Sequence, residues 1–126
     1  DPAAYKPDLA ACLHNLATCL SDVGDRSAAL AAIRETAAIR RELAERDPAT
    51  HAPALAPCLH RLTKRLAEAG HRGEALETAR EAVALYRSLA RRRPEDFSRG
   101  LAGALRTYAS VLEWAGREAD AARILQ

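Results

Sequence analysis

The stretch that decides the fold is LHRLTKRLAEAG at residues 59–70, which recurs in related form as LHNLATCLSDVG at 13–24 and LRTYASVLEWAG at 105–116. The step between copies is 46 residues, and residues 1–46 and 47–92 are identical at 22 aligned positions. A fixed period of this size is typical of stacked supersecondary units. We therefore expect a single domain, 1–126, with repeats at 1–46 and 47–92 and an incomplete third repeat at 93–126.

The composition favours an all-α fold. Hydrophobic residues make up 48% of the 126-residue chain, but there is one Phe, one Trp and no Met, so that Ala and Leu carry most of this fraction. Both are strong helix formers. No long stretch alternates apolar with polar residues, as a half-buried strand would.

The charge distribution excludes several classes of function. The net charge is +2, with acids and bases interspersed, which argues against nucleic acid as a partner. The basic run at 91–93 falls at a predicted helix C-terminus, where cations complement the helix dipole, although phosphate binding is the alternative. No apolar run is long enough to span a membrane, and no grouping of residues predicts catalysis, a metal or another cofactor.

The helices follow from the periodicity. The first helix of each repeat (helix A) should bury a leucine stripe and end at Gly24, Gly70 or Gly116, and a longer helix B should follow. In the first repeat, the stripe includes Leu9, Leu13, Leu16, Ala17, Leu20 and Val23. After Pro48, we expect a connection at 50–53 and a bend or a delayed helix start at Pro57.

The pattern on these helices resembles the tetratricopeptide repeat family. Helix A of that family carries a large residue, a leucine, a small residue and another large residue, and a glycine follows in the turn. The places are held here by Leu13, Leu16, Ala17, Leu20 and Gly24, by Leu59, Leu62, Thr63, Leu66 and Gly70, and by Leu105, Tyr108, Ala109, Leu112 and Gly116. The long unit is similar to the kinesin-light-chain-like branch, which is common in bacteria.

The resemblance implies a right-handed α-α superhelix whose helices A line a concave groove for an extended peptide. The resemblance also implies which residues line the groove, because positions in each of the three repeats match those of the family. They are His14, Asn15, Thr18 and Asp22; His60, Arg61, Lys64 and Glu68; and Arg106, Ser110, Glu113 and Trp114.

Three features of the helices A have more than one interpretation. His14, His60 and Arg106 share one register and either grip an acidic group, with Lys64, or are solvated. Trp114 is either an anchor for a ligand or a cover for the end of the stack. Cys12 and Cys58 also share a register, but buried, reduced cysteines are a simpler interpretation than a disulfide or a metal site.

The function predicted from the sequence is that of a non-catalytic scaffold that binds a protein or an extended peptide. We expect a cytoplasmic protein, and the absence of an initiator Met suggests a fragment of a larger bacterial signalling or effector protein. Self-association into homo-oligomers through the terminal repeat faces is the alternative. A small-molecule sensor is a third hypothesis, which is less favoured because three repeats are too few to enclose a ligand.

Overall fold

The computed structural model describes residues 6–7, 9–16, 26–116 and 123–124. Residues 6–7 and 9–16 are helical and are called α1, and residues 123–124 are helical as well. Four complete helices lie between them: α2 (Arg26–Arg46), α3 (Pro48–Glu68), α4 (Arg72–Arg92) and α5 (Pro94–Trp114). The described residues contain no strand, and the all-α prediction is confirmed.

The helix boundaries repeat with the same 46-residue step as the sequence. The limits of α4 are those of α2 shifted by one period, and the limits of α5 are those of α3. All four complete helices have 21 residues, so the prediction that helix B is the longer one is wrong, because helix A begins at the proline that was expected to precede a connection. Gly70 and Gly116 follow α3 and α5 with φ of +84° and +81°, a left-handed conformation that side chains disfavour. Both glycines therefore end helix A as predicted, whereas Gly24 lies outside the described residues.

Consecutive helices pack side by side into a helical solenoid of the tetratricopeptide kind. Each of α2, α3 and α4 contacts the helix that follows it, and the connections between them are three residues or shorter. Neighbouring helices therefore run in opposite directions. The main core joins Leu30 and Ile33 of α2 to Leu59 and Leu66 of α3, and a second cluster joins α4 to α5.

Helix α3 begins earlier than the sequence analysis predicts. The expected connection at 50–53 is helical, and the delayed start at Pro57 is wrong, because α3 runs unbroken from Pro48 through both internal prolines. Asp47 caps the helix by accepting a hydrogen bond from the Thr50 amide at 3.4 Å. Pro48 occupies the first turn, where its missing N–H costs nothing.

The stripe expected to be buried on α1 is partly exposed. Leu9 and Leu16 are each 48% exposed, and Cys12 is exposed too, so these three predictions of burial are wrong. Cys58, one period later, is 1% exposed and confirms the prediction for that residue. The physical reason is position: α2 covers the corresponding stripe of α3, and no described element covers that of α1.

The two sides of the stack are held together differently. On the helix A side, α3 and α5 approach each other directly, whereas among the described helices α2 and α4 have no close backbone approach. The two outer helices are joined instead by ion pairs between long side chains. These pairs are Arg34–Glu74 and Arg41–Glu81, each with an N–O distance of 2.8 Å. The narrower helix A side is therefore the inner side of the stack.

Candidate peptide-binding groove

The predicted groove residues that are described lie on successive helices A. His14 and Asn15 are on α1, and Thr18 and Asp22 lie outside the described residues. The α3 set is His60, Arg61, Lys64 and Glu68, and the α5 set is Arg106, Ser110, Glu113 and Trp114. Of the described groove residues, three are half-buried, namely His14, His60 and Arg61, while the others are exposed.

Helices α3 and α5 enclose an open cleft of about 410 Å³ between them. Four predicted groove residues line it, and they form two equivalent pairs one period apart. The pairs are Lys64 with Ser110 and Glu68 with Trp114. The repeat thus places matching positions of neighbouring helices on opposite walls of one depression.

The floor of the cleft is apolar. It is formed by Ala67 on α3 and Val111 on α5, and Thr107 completes the lining. An ammonium, a carboxylate and two hydroxyl groups surround this floor. Such a cleft can take an apolar side chain while its polar rim bonds the backbone beside that side chain.

Trp114 supplies the largest apolar surface of the cleft and is 36% exposed. The guanidinium of Arg72, the first residue of α4, lies 4.6 Å from the centroid of the indole ring. Stacking of a cation on the ring face fixes the orientation of the indole. The indole also contributes to the lining of the cleft.

His60 and Arg61 make contacts between repeats. His60 Nε2 lies 2.7 Å from Thr107 Oγ1 on α5, and Arg61 Nη1 lies 2.6 Å from His14 Nδ1 on α1. Both contacts join a histidine on one helix A to the residue 47 positions later, so they are the same contact one period apart. These four side chains form the inner seam of the stack.

Both seam histidines are held in the neutral form near pH 7. Burial is the main cause that lowers the pKa of His60, and the positive charges of Lys64, Arg106 and Arg61 lower it further. Burial, then Arg61 and Arg40, likewise lower the pKa of His14. A neutral ring can accept the hydrogen bond that Arg61 donates, which a protonated ring cannot.

The cysteines form no metal site among the described residues. Burial raises the pKa of the Cys58 thiol, which keeps it protonated. In the part of the chain that the structure describes, no three His, Cys, Asp or Glu side chains come together as metal ligands. The arginines at 91–93 are exposed at the end of α4, and Arg93 pairs with Asp96 at 3.3 Å.

The geometry of paired helices, glycine turns and an inner helix A face agrees with a comparison against known families. Residues 9–49 match the tetratricopeptide repeat. The match supports that family for the first repeat and its junction with α3, and tetratricopeptide repeats commonly serve as protein-interaction scaffolds without catalytic activity of their own. A search of curated proteins finds no match to the chain. None of the described helices is both long and apolar enough to cross a membrane.

The tetratricopeptide pattern points to the groove face but misses several residues that complete it. Thr107 could have been predicted from the sequence, because each seam contact joins a histidine to the residue that lies one repeat step and one further position along the chain. Ala67 and Val111 were detectable as apolar positions beside the polar register. Arg72 was not, since it comes from helix B of the preceding hairpin and meets Trp114 only through tertiary packing.

Proposed function

We propose that this chain is a peptide-binding scaffold that uses the cleft between α3 and α5 as its primary site. The observation that carries the proposal is the cleft itself, in which predicted groove residues from two repeats surround an apolar floor beside Trp114. Helices α3 and α5 pack against each other and against α4, so the backbone positions of these residues are set before a ligand arrives. Pre-organisation reduces the ordering cost of binding.

The chemistry of the cleft defines the ligand class. Lys64 and Glu68 lie on one wall, so this wall carries a positive and a negative charge. The mixed charge favours an extended peptide, whose backbone can make polar contacts, over a strongly anionic ligand. Trp114 and the apolar floor suit one large apolar or aromatic side chain of that peptide. His14, His60, Arg106 and Lys64 were predicted to bind an acidic group. Because the two histidines are neutral, Lys64 and Arg106 are the positively charged members of this set.

The proposal has two finer parts, which concern the branch of the family and the absence of catalysis. The 46-residue period and the 21-residue length of each complete helix support membership of the kinesin-light-chain-like branch, within a larger bacterial protein. The cleft offers no paired nucleophile and base, which supports a non-catalytic role for the described residues. The work of this chain is then to hold a partner.

Binding is tested with short extended peptides that carry one central Leu, Phe or Tyr between acidic or basic neighbours. Fluorescence anisotropy of labelled peptides gives the affinity, and the emission of Trp114, the only Trp in the chain, reports occupancy of the cleft. For the tightest peptide, Trp114→Ala should weaken binding about 10- to 30-fold, since aromatic residues dominate such interfaces. Lys64→Ala should weaken it less, by about 3-fold.

The matched control is Glu77→Ala, which removes an exposed charge from α4, away from the cleft. Its affinity should equal that of the parent chain. Binding that survives Trp114→Ala at full strength, or no saturable binding by any peptide of the panel, contradicts the proposed function.

A further inference from the structure

A cavity of about 460 Å³ lies where the start of α2 meets the end of α3. Helix α2 contributes Arg26 and Leu30 to its lining, and α3 contributes Arg65 and Glu68. The cavity is larger and more enclosed than the cleft between α3 and α5, and Glu68 is the one described residue that lines both. The cavity is therefore a second concave site on the other side of the end of α3.

Positive charge dominates the lining of this cavity. Three arginines line it, namely Arg26, Arg34 and Arg65, against the single carboxylate of Glu68. Arg26 makes no ion pair with any described residue. Arg34 contacts Glu74 at 2.8 Å and Arg65 contacts Glu68 at 3.3 Å, each through one terminal nitrogen. Because a guanidinium has several N–H donors, all three arginines can still bind an anion.

The rest of the lining is mostly apolar or small. Leu30 is 7% exposed and belongs to the main core, so it forms an apolar floor. Ala31 and Ala69 have short side chains, which leave room beside this floor, and Ser27 and His71 are the remaining polar residues of the lining. A site of this kind takes a ligand with an apolar part and one charged group.

The third repeat shows which apolar group fits this corner of the fold. One period after Arg26 and Glu68 lie Arg72 and Trp114. The guanidinium of Arg72 is 4.6 Å from the centroid of the indole ring of Trp114. Between α4 and α5, therefore, the place beside the arginine is occupied by an aromatic ring.

Between α2 and α3 the arginine is present and the ring is absent. The residue at the place of the tryptophan is Glu68, whose shorter side chain bonds Arg65. Arg26 consequently has no aromatic partner, and the cavity is left in front of it. The volume of the cavity lies within the range of small-molecule sites, roughly 300–1,000 Å³.

We propose that this cavity binds an aromatic ring that carries a carboxylate. The ring stacks on Arg26 above Leu30, as the indole of the third repeat stacks on its own arginine. The carboxylate accepts hydrogen bonds from Arg34 and Arg65, one on each wall. Since nearby carboxylates offset part of the arginine charge, a singly charged carboxylate fits better than a doubly charged phosphate.

Two sources can supply this chemistry. One is a free aromatic acid, and the other is a peptide in which an aromatic residue is followed by Asp or Glu. The site does not depend on the function proposed for the cleft, because eight of the nine residues that line the cavity lie outside the cleft. The tests below therefore use Trp114→Ala protein, which lacks the aromatic residue of the cleft.

The first probe is indole-3-acetate, which joins the ring of the third repeat to one carboxylate. Isothermal titration calorimetry should give one site with a dissociation constant on the order of 0.1 mM, as expected for a ligand of this size. Tryptamine, which has the same ring and a cation, should bind at least about 10-fold more weakly. Equal binding of the two compounds overturns the proposal. Binding seen in the parent chain but lost in Trp114→Ala assigns the probe to the cleft and overturns it as well.

Two substitutions in the lining should act in opposite directions. Arg26→Ala should weaken indole-3-acetate about 3- to 30-fold, the usual worth of a cation on an aromatic face. Glu68→Gln should strengthen it about 2- to 5-fold, because it removes a negative charge and releases Arg65. The matched control is Arg87→Ala, an exposed arginine of α4 outside the cavity, which should leave the affinity unchanged. An Arg26→Ala protein that binds like the control overturns the proposal.

Glu68→Trp tests the comparison with the third repeat. The introduced indole should fill the cavity beside Arg26 and weaken indole-3-acetate at least about 10-fold, while circular dichroism shows an unchanged helix content. Glu68→Gln is its control, since it removes the same charge without adding a ring. Equal affinity in the two proteins overturns the proposal.

The last experiment separates the two sources. The peptide probe is acetyl-Trp-Asp-amide, titrated into the same Trp114→Ala protein and then against bound indole-3-acetate. Tighter binding of the peptide, with displacement of the acid, supports the site with a peptide as its source. Tighter binding of indole-3-acetate supports the site with a free acid as its source. The absence of saturable binding by both probes overturns the proposal, whatever the cleft binds.

Discussion

The turn glycines show how single residues hold the repeat together. Gly70 has φ of +84°, and nothing lies within 4 Å of the place where a Cβ would be, so backbone conformation alone selects glycine there. We expect Gly70→Ala to lower the free energy of unfolding by about 1 kcal/mol, the usual cost of a left-handed alanine. Urea denaturation followed by circular dichroism measures the change.

The control is Gly73→Ala, three residues later. Gly73 lies in α4 with equally open surroundings, so an added methyl group should raise the helix propensity and leave stability equal or up to about 1 kcal/mol higher. Equal destabilisation by the two variants would contradict a conformational role for Gly70.

His60 gives the seam a dependence on pH. Its pKa in the folded chain is lowered from the ordinary 6.5, mainly by burial, so the folded state disfavours the protonated ring. The stability that the neutral ring contributes is complete above pH 6.5 and is lost as the pH falls through the folded pKa. Because the ring is half-buried, the loss should stay below about 1.4 kcal/mol, the equivalent of one pKa unit.

The comparison variant is His60→Gln, which can still bond Thr107 but does not titrate. Free energies of unfolding from pH 7 to pH 5 should fall less steeply for this variant than for the parent chain. Parallel pH profiles for the two proteins would contradict a neutral seam histidine.

The seam was only half predictable from the sequence. The shared register of His14 and His60 indicates that they line one face, but the register alone does not show that each side chain reaches the next helix. Reach depends on the separation of successive helices A, which the packing of small residues such as Ala56 and Ala104 sets. The register pairs His60 with Arg106, whereas the observed partner is Thr107.

At the scale of helices, the crossing of α4 and α5 depends on one missing side chain. A Cβ on Gly100 would lie 3.0 Å from Tyr86 Cζ and closer still to Cε1, in a ring that is only 6% exposed. We expect Gly100→Ala to destabilise the chain by about 1–3 kcal/mol, the usual cost of overpacking. Denaturation with guanidinium chloride measures it.

Gly103→Ala is the matched control one turn later on α5. Its Cβ would lie 3.4 Å from His60 Cε1, an ordinary contact, so the helix propensity of alanine should dominate. A Gly100→Ala protein as stable as the Gly103→Ala protein would show that the Tyr86 ring moves aside freely.

The limits of the helices were predictable where a strong stop signal exists and not elsewhere. Gly70 and Gly116 end helix A as predicted. The prolines misled the sequence analysis, because Pro53 and Pro57 remove amide donors only from the first turns of α3. The carbonyls left without donors belong to Ala49, which is exposed, and Pro53, which is half-buried, and water can serve both.

At the scale of the whole molecule, the internal repeat was sufficient to predict the fold class and the equivalence of helices. It could not predict which copies of a residue are buried, since identical residues have different neighbours at the end and in the middle of a stack. Leu16 and Leu62 are equivalent by sequence, yet their exposed fractions are 48% and 4%. The difference comes entirely from whether a helix B lies in front of them.

The links between repeats differ on the two sides of the stack, and this difference should make the outer side the more compliant one. Spreading α2 from α4 stretches flexible arginine and glutamate side chains that water can replace at little cost. Parting α3 from α5 would expose well-packed hydrocarbon and break the His60–Thr107 contact. We therefore expect bending of the stack to separate α2 from α4 before it separates α3 from α5, so that the width of the cleft changes less than the spacing of the outer helices.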